Sequence, residues 1–430
     1  MASSAYGRKL NPYRRLRESL GIKGVRQWVV KTHNPSTIDE NDILTILFPN
    51  LAENDVIVPG TARLAFQISL TSTDDKRSIV QNLGRALVKK ITIKLDGNEV
   101  MSIDNCDVYH CYMDLWKTAQ ERQNLQYQGI DTSRNQNVTK LRLKATDGVE
   151  RAADKAIAKA YQNRYYIPLD FEMLESHMPF CQSALGSRLE YELIFNDYKH
   201  VIKATGDADA KYKIEKLSLE FEKVTSNELG RMAREQYASR AVIYYDRVLR
   251  DSMVRRDKSD HGWTINIQKP ARSIKGILML FQEPAEAFQK NTEEFYNPKI
   301  TKVTVTIEGL TNQLYNDGLS AYQQWDETRK FFAAGCKRDP EVAIVAKDLA
   351  LADVSLGEYL TSKYALWLDL RSTDDEKLHG SGRRLENVND GVSVSIAKEQ
   401  EGEGTLDVYV YLVMDAQINI ENGRFIRAVY

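Results

Sequence analysis

Cysteine is sparse in this chain. Cys106, Cys111, Cys181 and Cys336 are the only four in 430 residues, too few and too irregular for a disulfide framework in a chain of this size, which points to a reducing compartment. Net charge is almost absent as well: 59 Lys plus Arg stand against 60 Asp plus Glu. No whole-molecule field therefore gathers nucleic acid or holds an anionic membrane, and any such contact has to be local. Long apolar runs are missing: nothing approaches the roughly 18 residues of a membrane span. Met1 to Gly7 lack the apolar core of a signal peptide, so the chain reads as one made soluble inside a cell. Asn137-Val138-Thr139 fits the glycosylation acceptor pattern, but without a secretory route it reads as a plain loop.

The constellations of catalysis are lacking too. There is no glycine-rich phosphate loop of Walker type, no His-Glu-x-x-His and no Cys-x-x-Cys. The six histidines, His33, His110, His177, His200, His261 and His379, are scattered, and none pairs closely enough to start a ligand cage. His110 beside Cys111 presents its two groups to different faces of an expected helix, which favours ordinary packing. Gly380-Ser381-Gly382 lacks the spacing of a nucleophile elbow and reads as a flexible loop. Asp374-Asp375-Glu376 reads as a solvated charge run, with a hard-cation site as the alternative; Asp104 and Asp107 read as helix caps. The sequence thus calls for no enzyme activity, cofactor or metal, although β sandwiches can assemble sites from residues far apart in sequence.

What the chain does have is a repeat. Lys302 to Gly309, Lys-Val-Thr-Val-Thr-Ile-Glu-Gly, echoes Lys90 to Gly97, Lys-Ile-Thr-Ile-Lys-Leu-Asp-Gly, 212 positions earlier (302 minus 90). Both alternate apolar and polar residues with the period of a strand that has one buried face. Both end on an acidic residue and a glycine, which supplies a tight turn, and a helix follows each. A second echo pairs Arg164-Tyr-Tyr-Ile-Pro-Leu-Asp-Phe171 with Lys363-Tyr-Ala-Leu-Trp-Leu-Asp-Leu370 at a spacing of 199 (363 minus 164). Two β signatures recurring in one order indicate a β module present twice, and the length accommodates two cores.

In chain order, residues 1–45 form a basic N-terminal arm. Within residues 1–32, eight cations (Arg8, Lys9, Arg14, Arg15, Arg17, Lys23, Arg26 and Lys31) face Glu18 alone, a balance of +7. The arm either touches phosphate or a neighbouring subunit, or is a solvated terminus. Trp28, heading Trp-Val-Val, is expected to anchor it to protein. A first module spans 46–225, with strands from Asp55 onward, a helix over Asp107–Asn124 and an insertion at 125–163 that ends in an Ala-rich helix. A helical connector, 226–240, starts at Ser226 as N-cap. The second module, 241–430, carries a helix from about Ala321 to Ala333. Many short strands, turn signals and no βαβ rhythm indicate an all-β, antiparallel architecture, a sandwich or jelly roll in duplicate.

Several blocks carry a family likeness: Ile167-Pro-Leu-Asp-Phe171, Met178-Pro-Phe-Cys-Gln182, Ala184-Leu-Gly186 and Leu189-Glu-Tyr-Glu-Leu-Ile-Phe-Asn196. With them stand Val58-Pro-Gly-Thr-Ala-Arg-Leu64, Gln81-Asn-Leu-Gly-Arg-Ala-Leu-Val-Lys-Lys-Ile91, Gly97-Asn-Glu-Val-Met101 and Asn312-Gln-Leu-Tyr315. In combination, over residues 50–335, the chain resembles the double jelly-roll, hexon-like major capsid proteins of eukaryotic DNA viruses, in particular those of Polintons (Mavericks) and adintoviruses. The resemblance implies two tandem eight-stranded antiparallel jelly rolls with short helical insertions. It also implies homotrimers that act as pseudo-hexagonal capsomers, and an icosahedral shell around a double-stranded DNA genome. The partners implied are the chain itself, then penton and other minor capsid proteins. The place implied is the virion capsid, with synthesis in the host cytoplasm and nuclear assembly left open. Arg8, Lys9, Arg14, Arg15 and Arg17 would then lie inside the shell, in weak contact with genome or an inner membrane. A duplicated β-sandwich carbohydrate-binding module, using some of the 22 Tyr and 5 Trp, is the alternative.

Overall fold

The computed structural model describes residues 25–32, 37–71, 77–117, 121–122, 124–130, 164–175, 180, 183, 185–204, 210–267, 269, 271–307, 310–311, 320–332, 354–372, 381–385 and 391–430. The first half contains β1 (Val25–Thr32), β2 (Thr37–Ile38), β3 (Ile43–Leu47), β4 (Asp55–Ile57), β5 (Arg63–Thr71), β6 (Arg77–Ile79), β7 (Val88–Leu95), β8 (Asn98–Asp104), β9 (Arg164–Pro168), β10 (Leu189–Phe195), β11 (Ile202–Ala204) and β12 (Lys211–Thr225). After the helix Asn227–Ala238, the second half contains β13 (Ala241–Asp257), β14 (Gly262–Ile267), β15 (Ala271–Gln282), β16 (Ile300–Ile307), β17 (Leu310–Thr311), β18 (Ala365–Asp369), β19 (Arg383–Leu385), β20 (Val392–Lys398), β21 (Thr405–Glu421) and β22 (Arg424–Val429).

The two halves have one topology. The first builds a sheet β1-β12-β5-β9 facing a sheet β3-β10-β7-β8; the second builds β13-β21-β15-β18 facing β14-β20-β16-β17. With the short accessory strands set aside, each half's strands taken in chain order give the sheet orders 1-8-3-6 and 2-7-4-5. Every pair within these sheets is antiparallel. That is the strand order of a jelly roll, written twice. The repeats seen in the sequence occupy matching places: Lys90–Gly97 lies on and after β7 and Lys302–Ile307 on β16, the fourth strand of each roll, while the Tyr-Ile-Pro-Leu-Asp block lies on and just after β9 and Ala-Leu-Trp-Leu-Asp is β18, the sixth.

Local chemistry explains the elements. Asp96 and Gly97, with φ of 53° and 78°, form the two-residue turn that lets Leu95 pair with Asn98; both need the left-handed region, which matches the twist of the flanking strands. Strand β10 buries Leu189, Tyr191, Leu193 and Phe195 and turns Glu190 and Glu192 outward. Phe48 sits between the first roll's sheets, within 6.2 Å of the Phe180 and Phe221 rings and 5.8 Å of Tyr191. Trp367 on β18 is wholly buried and stacks at 3.9 Å on Phe331. Gly276 on β15 makes room for it, since a Cβ there would lie 2.3 Å from the indole.

Several expectations change. Val25–Thr32, counted in the arm, is an edge strand paired along its length with Thr225–Ser218 of β12; its charges mask the pattern, and among its described side chains Val29 is the one that packs on the core. The helix expected over Asp107–Asn124 runs Cys106–Leu115. Trp116 is its C-cap, its amide turned back to the Met113 and Asp114 carbonyls; Arg122, in a further helical stretch at 121–122, donates to the Asp114 carbonyl at 3.0 Å, and Asn124–Gln128 forms a separate 3-10 turn. Ser226 stands at the N-cap of Asn227–Ala238, but its hydroxyl makes no capping bond. That helix is held instead by Asn54, whose carbonyl accepts from the Ser226 amide at 3.0 Å and whose side chain bonds Asn227 at 2.7 Å. The expected Ala-rich helix, the turn Glu308-Gly309, the Asp374–Glu376 run and most of the Met178–Gln182 block lie outside the described residues.

Candidate assembly surfaces

The chemistry of this fold is concentrated where one roll meets the other. Strand β8 and the helix Cys106–Leu115 of the first roll lie against β13 and β21 of the second. Tyr245 donates to the Val100 carbonyl at 2.7 Å and Tyr411 to the Asn105 carbonyl at 2.8 Å. Arg247 faces Glu99 at 3.6 Å, and Arg250 faces Asp104 at 3.6 Å and bonds the Asn105 side chain. Aromatic rings fill the seam: Tyr109 on Tyr411 at 5.3 Å, Tyr112 on Phe295 at 4.9 Å, and Trp116 against Phe332 at 6.5 Å and Tyr359 at 6.3 Å. An apolar centre with hydrogen-bonded edges is the make-up of a permanent interface.

The loop between β15 and β16 clasps the first roll. Phe288 stacks on Tyr198 and its amide donates to the Lys199 carbonyl at 3.0 Å; Thr292 donates to the Gln81 carbonyl at 2.7 Å; Glu293 pairs with Arg122 at 2.6 Å. Lys290 reaches Asp107 at 2.8 Å, with the carboxylate buried and the lysine side chain 13% exposed. Burial works to lower the Lys290 ammonium, but the Asp107 carboxylate beside it prevails and holds the group above the ordinary lysine value. Asp107 is therefore no helix cap: the N-cap is Asn105, in left-handed backbone at φ 48° without a side-chain cap bond, and Asp107 takes Lys290 and the Asn196 amide at 3.1 Å.

A second polar knot ties together two of the blocks that carry the family likeness. Buried Arg85 lies between Asp114, at 3.3 Å, and Asp170 of Ile167-Pro-Leu-Asp-Phe171. Asn82 and Gln128 donate to the same Asp114 oxygen at 2.9 and 2.6 Å, and Lys117 lies 2.6 Å from the other. Burial pushes the Asp114 carboxyl up, yet Arg85 and Lys117 outweigh it and leave the group far below the usual carboxylate range. Gly84 in the same block lets its backbone approach Tyr166, whose carbonyl would be 2.2 Å from any Cβ. The knot is structural: every polar atom named is turned onto another residue of the chain.

The other flagged residues are packed. His110 is edge-on to Tyr109, and burial, helped by Arg85, pushes its pKa down to about 3. Burial likewise raises the Cys111 thiol. Among the described residues no three His, Cys, Asp or Glu side chains converge. Ser381 and Gly382, expected as a loop, are fixed on β15: Gly382 donates to the Ser273 hydroxyl at 3.0 Å, and Ser372 donates to the Ser381 carbonyl at 2.9 Å. Arg8, Lys9, Arg14, Arg15 and Arg17 lie outside the described residues. Of the cations counted with them, Arg26 is held by Glu222 of β12 at 2.7 Å. Sequence reasoning missed Arg122, Lys290 and Glu293; the run Phe288, Phe295 and Tyr296 in a polar loop was the available sign that this loop docks.

These two rolls, fastened into one body, define a double jelly roll. Neither a protein-family model nor a curated protein matches the sequence, but solved structures do. The PBCV-1 virus capsid quasi-atomic model superimposes with a TM-score of 0.60 at 10% identity, over 95% of this chain and 97% of that one. The structure of the Sputnik virophage gives 0.56 at 11% identity, over 95% and 89%. The mavirus major capsid protein gives 0.51 at 12% identity, over 94% and 90%. The chain thus has the double jelly-roll fold of viral major capsid proteins, matched along nearly its whole length.

Proposed function

We propose that the chain is a structural major capsid subunit whose activity is assembly: three copies form a pseudo-hexagonal capsomer, and capsomers tile an icosahedral shell around a double-stranded DNA genome. The observation that carries this reading is the exact repetition of strand order in two rolls joined as a single body. Three such chains place six similar modules around one axis, so a threefold ring can occupy a near-hexagonal lattice. The fold shared with PBCV-1, Sputnik and mavirus structures supports it, and the sequence blocks favour the Polinton and adintovirus type. In this reading Arg8, Lys9, Arg14, Arg15 and Arg17 face the shell interior and meet minor capsid proteins, an inner membrane or genome phosphate. Penton proteins complete the shell.

Carbohydrate binding is less well supported. Trp116, Trp263 and Trp367 are buried, and Trp28, the exposed one at 52%, is stacked on the Arg63 guanidinium at 4.7 Å. Electron microscopy of the purified chain is the test. Threefold particles of hexagonal outline, or closed shells, are expected; a monodisperse monomer under all assembly conditions would refute the proposal.

A further inference from the structure

Asp107 joins more than an ion pair. Its Oδ2 atom takes the Lys290 ammonium at 2.8 Å and the Asn196 side-chain amide at 3.1 Å, so an amine and a carboxamide meet on one carboxylate oxygen. The other oxygen, Oδ1, is buried and has no hydrogen-bond partner among the described residues. Buried carboxylates normally fill both oxygens; one left open is a place for a proton. The carboxamide is itself held in position: Asn196 Nδ2 also donates to the Ala86 carbonyl at 3.2 Å, and its Oδ1 accepts from the Asp197 amide at 3.2 Å.

An amine nucleophile, a carboxamide carbon, a carboxyl group touching both nitrogens and a backbone N–H on the carbonyl oxygen are the parts of an amide exchange. From this we infer that Lys290 and Asn196 join in an isopeptide bond that the folded chain forms on itself, with Asp107 as proton carrier and ammonia as the other product. The bond ties the loop between β15 and β16 of the second roll to the end of β10 in the first, and so makes the seam covalent. It needs only the folded chain and does not rest on the capsid reading.

The step balances without an outside reactant. The Lys290 ammonium passes a proton to Asp107, leaving a neutral amine whose Nζ attacks Asn196 Cγ. Charge gathers on Asn196 Oδ1, where the Asp197 N–H already points. Asp107 then protonates Nδ2 and takes a proton from the attacking nitrogen; the Cγ–Nδ2 bond breaks, ammonia leaves, and the new bond is Cγ–Nζ. Folding supplies the approach, because the three side chains come from separate parts of the chain and are fixed around one oxygen. Asn196 and Asp107 are buried and Lys290 is largely so, with Tyr409 and Cys111 nearby, which keeps competing water from the carbon. In the freshly folded chain the pair is charged, and reaction waits on the minor population in which the proton has crossed. Closure is therefore slow beside folding, and a young preparation holds open and closed chains together.

The test is mass spectrometry of the full-length chain, fresh and after prolonged warm incubation. Loss of ammonia lowers the mass by about 17 Da, and the closed fraction should grow with time. Trypsin does not cut after an acylated lysine, so digestion should release a branched peptide joining Leu189–Lys199 to Gly276–Lys299. The branch distinguishes this bond from a succinimide, which loses the same mass. Lys290→Arg, which keeps the positive charge but cannot form the bond, and Asn196→Ala should each abolish the branch. Asp107→Asn should slow its formation by roughly 100-fold or more, with melting temperature confirming that the variant is folded. Complete cleavage after Lys290 in folded, incubated wild-type chain would overturn the inference, and a branch formed at the wild-type rate in Asp107→Asn would overturn the role given to Asp107. Assembly is read separately by microscopy, so either failure leaves the capsid reading standing.

Discussion

Removing Lys290 should show how tightly the two rolls are coupled. Its ammonium reaches Asp107 across the seam at 2.8 Å, where the carboxylate is buried and the lysine largely so, so among the described residues Lys290→Met leaves the interior carboxylate with the Asn196 amide as its donor. Breaking a buried pair from one side costs about 3–5 kcal/mol, while replacing both partners is far milder. If the 430 residues unfold as one unit, an unfolding entropy of about 0.9 kcal/mol/K turns that into a drop in melting temperature of roughly 3–6 °C. If each roll melts alone, with about half that entropy, the drop roughly doubles and is confined to one of two transitions. Calorimetry at fixed protein concentration distinguishes these outcomes, and Lys290→Met/Asp107→Asn should recover more than half of the loss. The pH dependence has a defined sign. Lys290 sits above its ordinary value when folded, so its contribution is complete below the unfolded lysine pKa of about 10.4 and fades as pH rises through the folded one; Lys290→Met should remove that alkaline loss. A single variant within about 1 kcal/mol of wild type, or a double variant no more stable than the single, would refute the reasoning.

Three further outcomes follow from the fold. Asp114→Asn should cost about 2 kcal/mol by weakening the hold on buried Arg85. Because the Asp114 pKa is lowered on folding, its stabilisation is present above about pH 4 and is lost as pH falls, so the variant's acid denaturation profile should be flatter than that of wild type. Gly276→Ala should destabilise by about 1–3 kcal/mol, since its Cβ would strike the Trp367 indole at 2.3 Å; urea denaturation measures this. Deleting residues 1–24 should leave trimers intact by mass photometry while impairing particle closure or contents, whereas deletion to residue 32 removes β1 and should also reduce stability and trimer yield.

The sequence revealed the duplication because strands with one buried face keep a two-residue period that survives as spelling, as in Ile91-Thr92-Ile93 and Val303-Thr304-Val305. It revealed turns for the same local reason, as at Asp96-Gly97. It concealed β1, an edge strand in which Arg26, Gln27 and Lys31 stand exposed around the inward Val29 and blur any period. It concealed the seam because the pairing of Lys290 with Asp107 or of Arg122 with Glu293 spans more than 170 residues, and no local pattern distinguishes a charge that will be buried from one that stays wet. The contact at the end of Cys106–Leu115 was hidden in the same way, made by an arginine eight residues beyond the carbonyl it bonds.

The difference between the two central strands follows from when each face is covered. Both β12 and β21 run through the middle of a jelly-roll sheet, but β21 turns Tyr411 toward the first roll while β12 turns Glu220 and Glu222 outward. The partner of β21 is tethered in the same chain, so its local concentration is high at every stage and the face never waits in water. It can be apolar without penalty. A face with no such tethered partner among the described residues meets water, where a bare aromatic and aliphatic patch would invite the wrong contacts. The buried acids Glu220 and Glu222 are each paired with arginines, so what this face shows to water is the partly exposed guanidinium groups of Arg26, Arg63 and Arg164. Charge-reversing Glu220→Lys should consequently destabilise the fold, by placing a fourth cation among those three arginines, whereas Val30→Glu, at a position 60% exposed, should leave the melting temperature nearly unchanged. Equal melting temperatures for the two variants would show that the paired acids do not serve the monomer in this way.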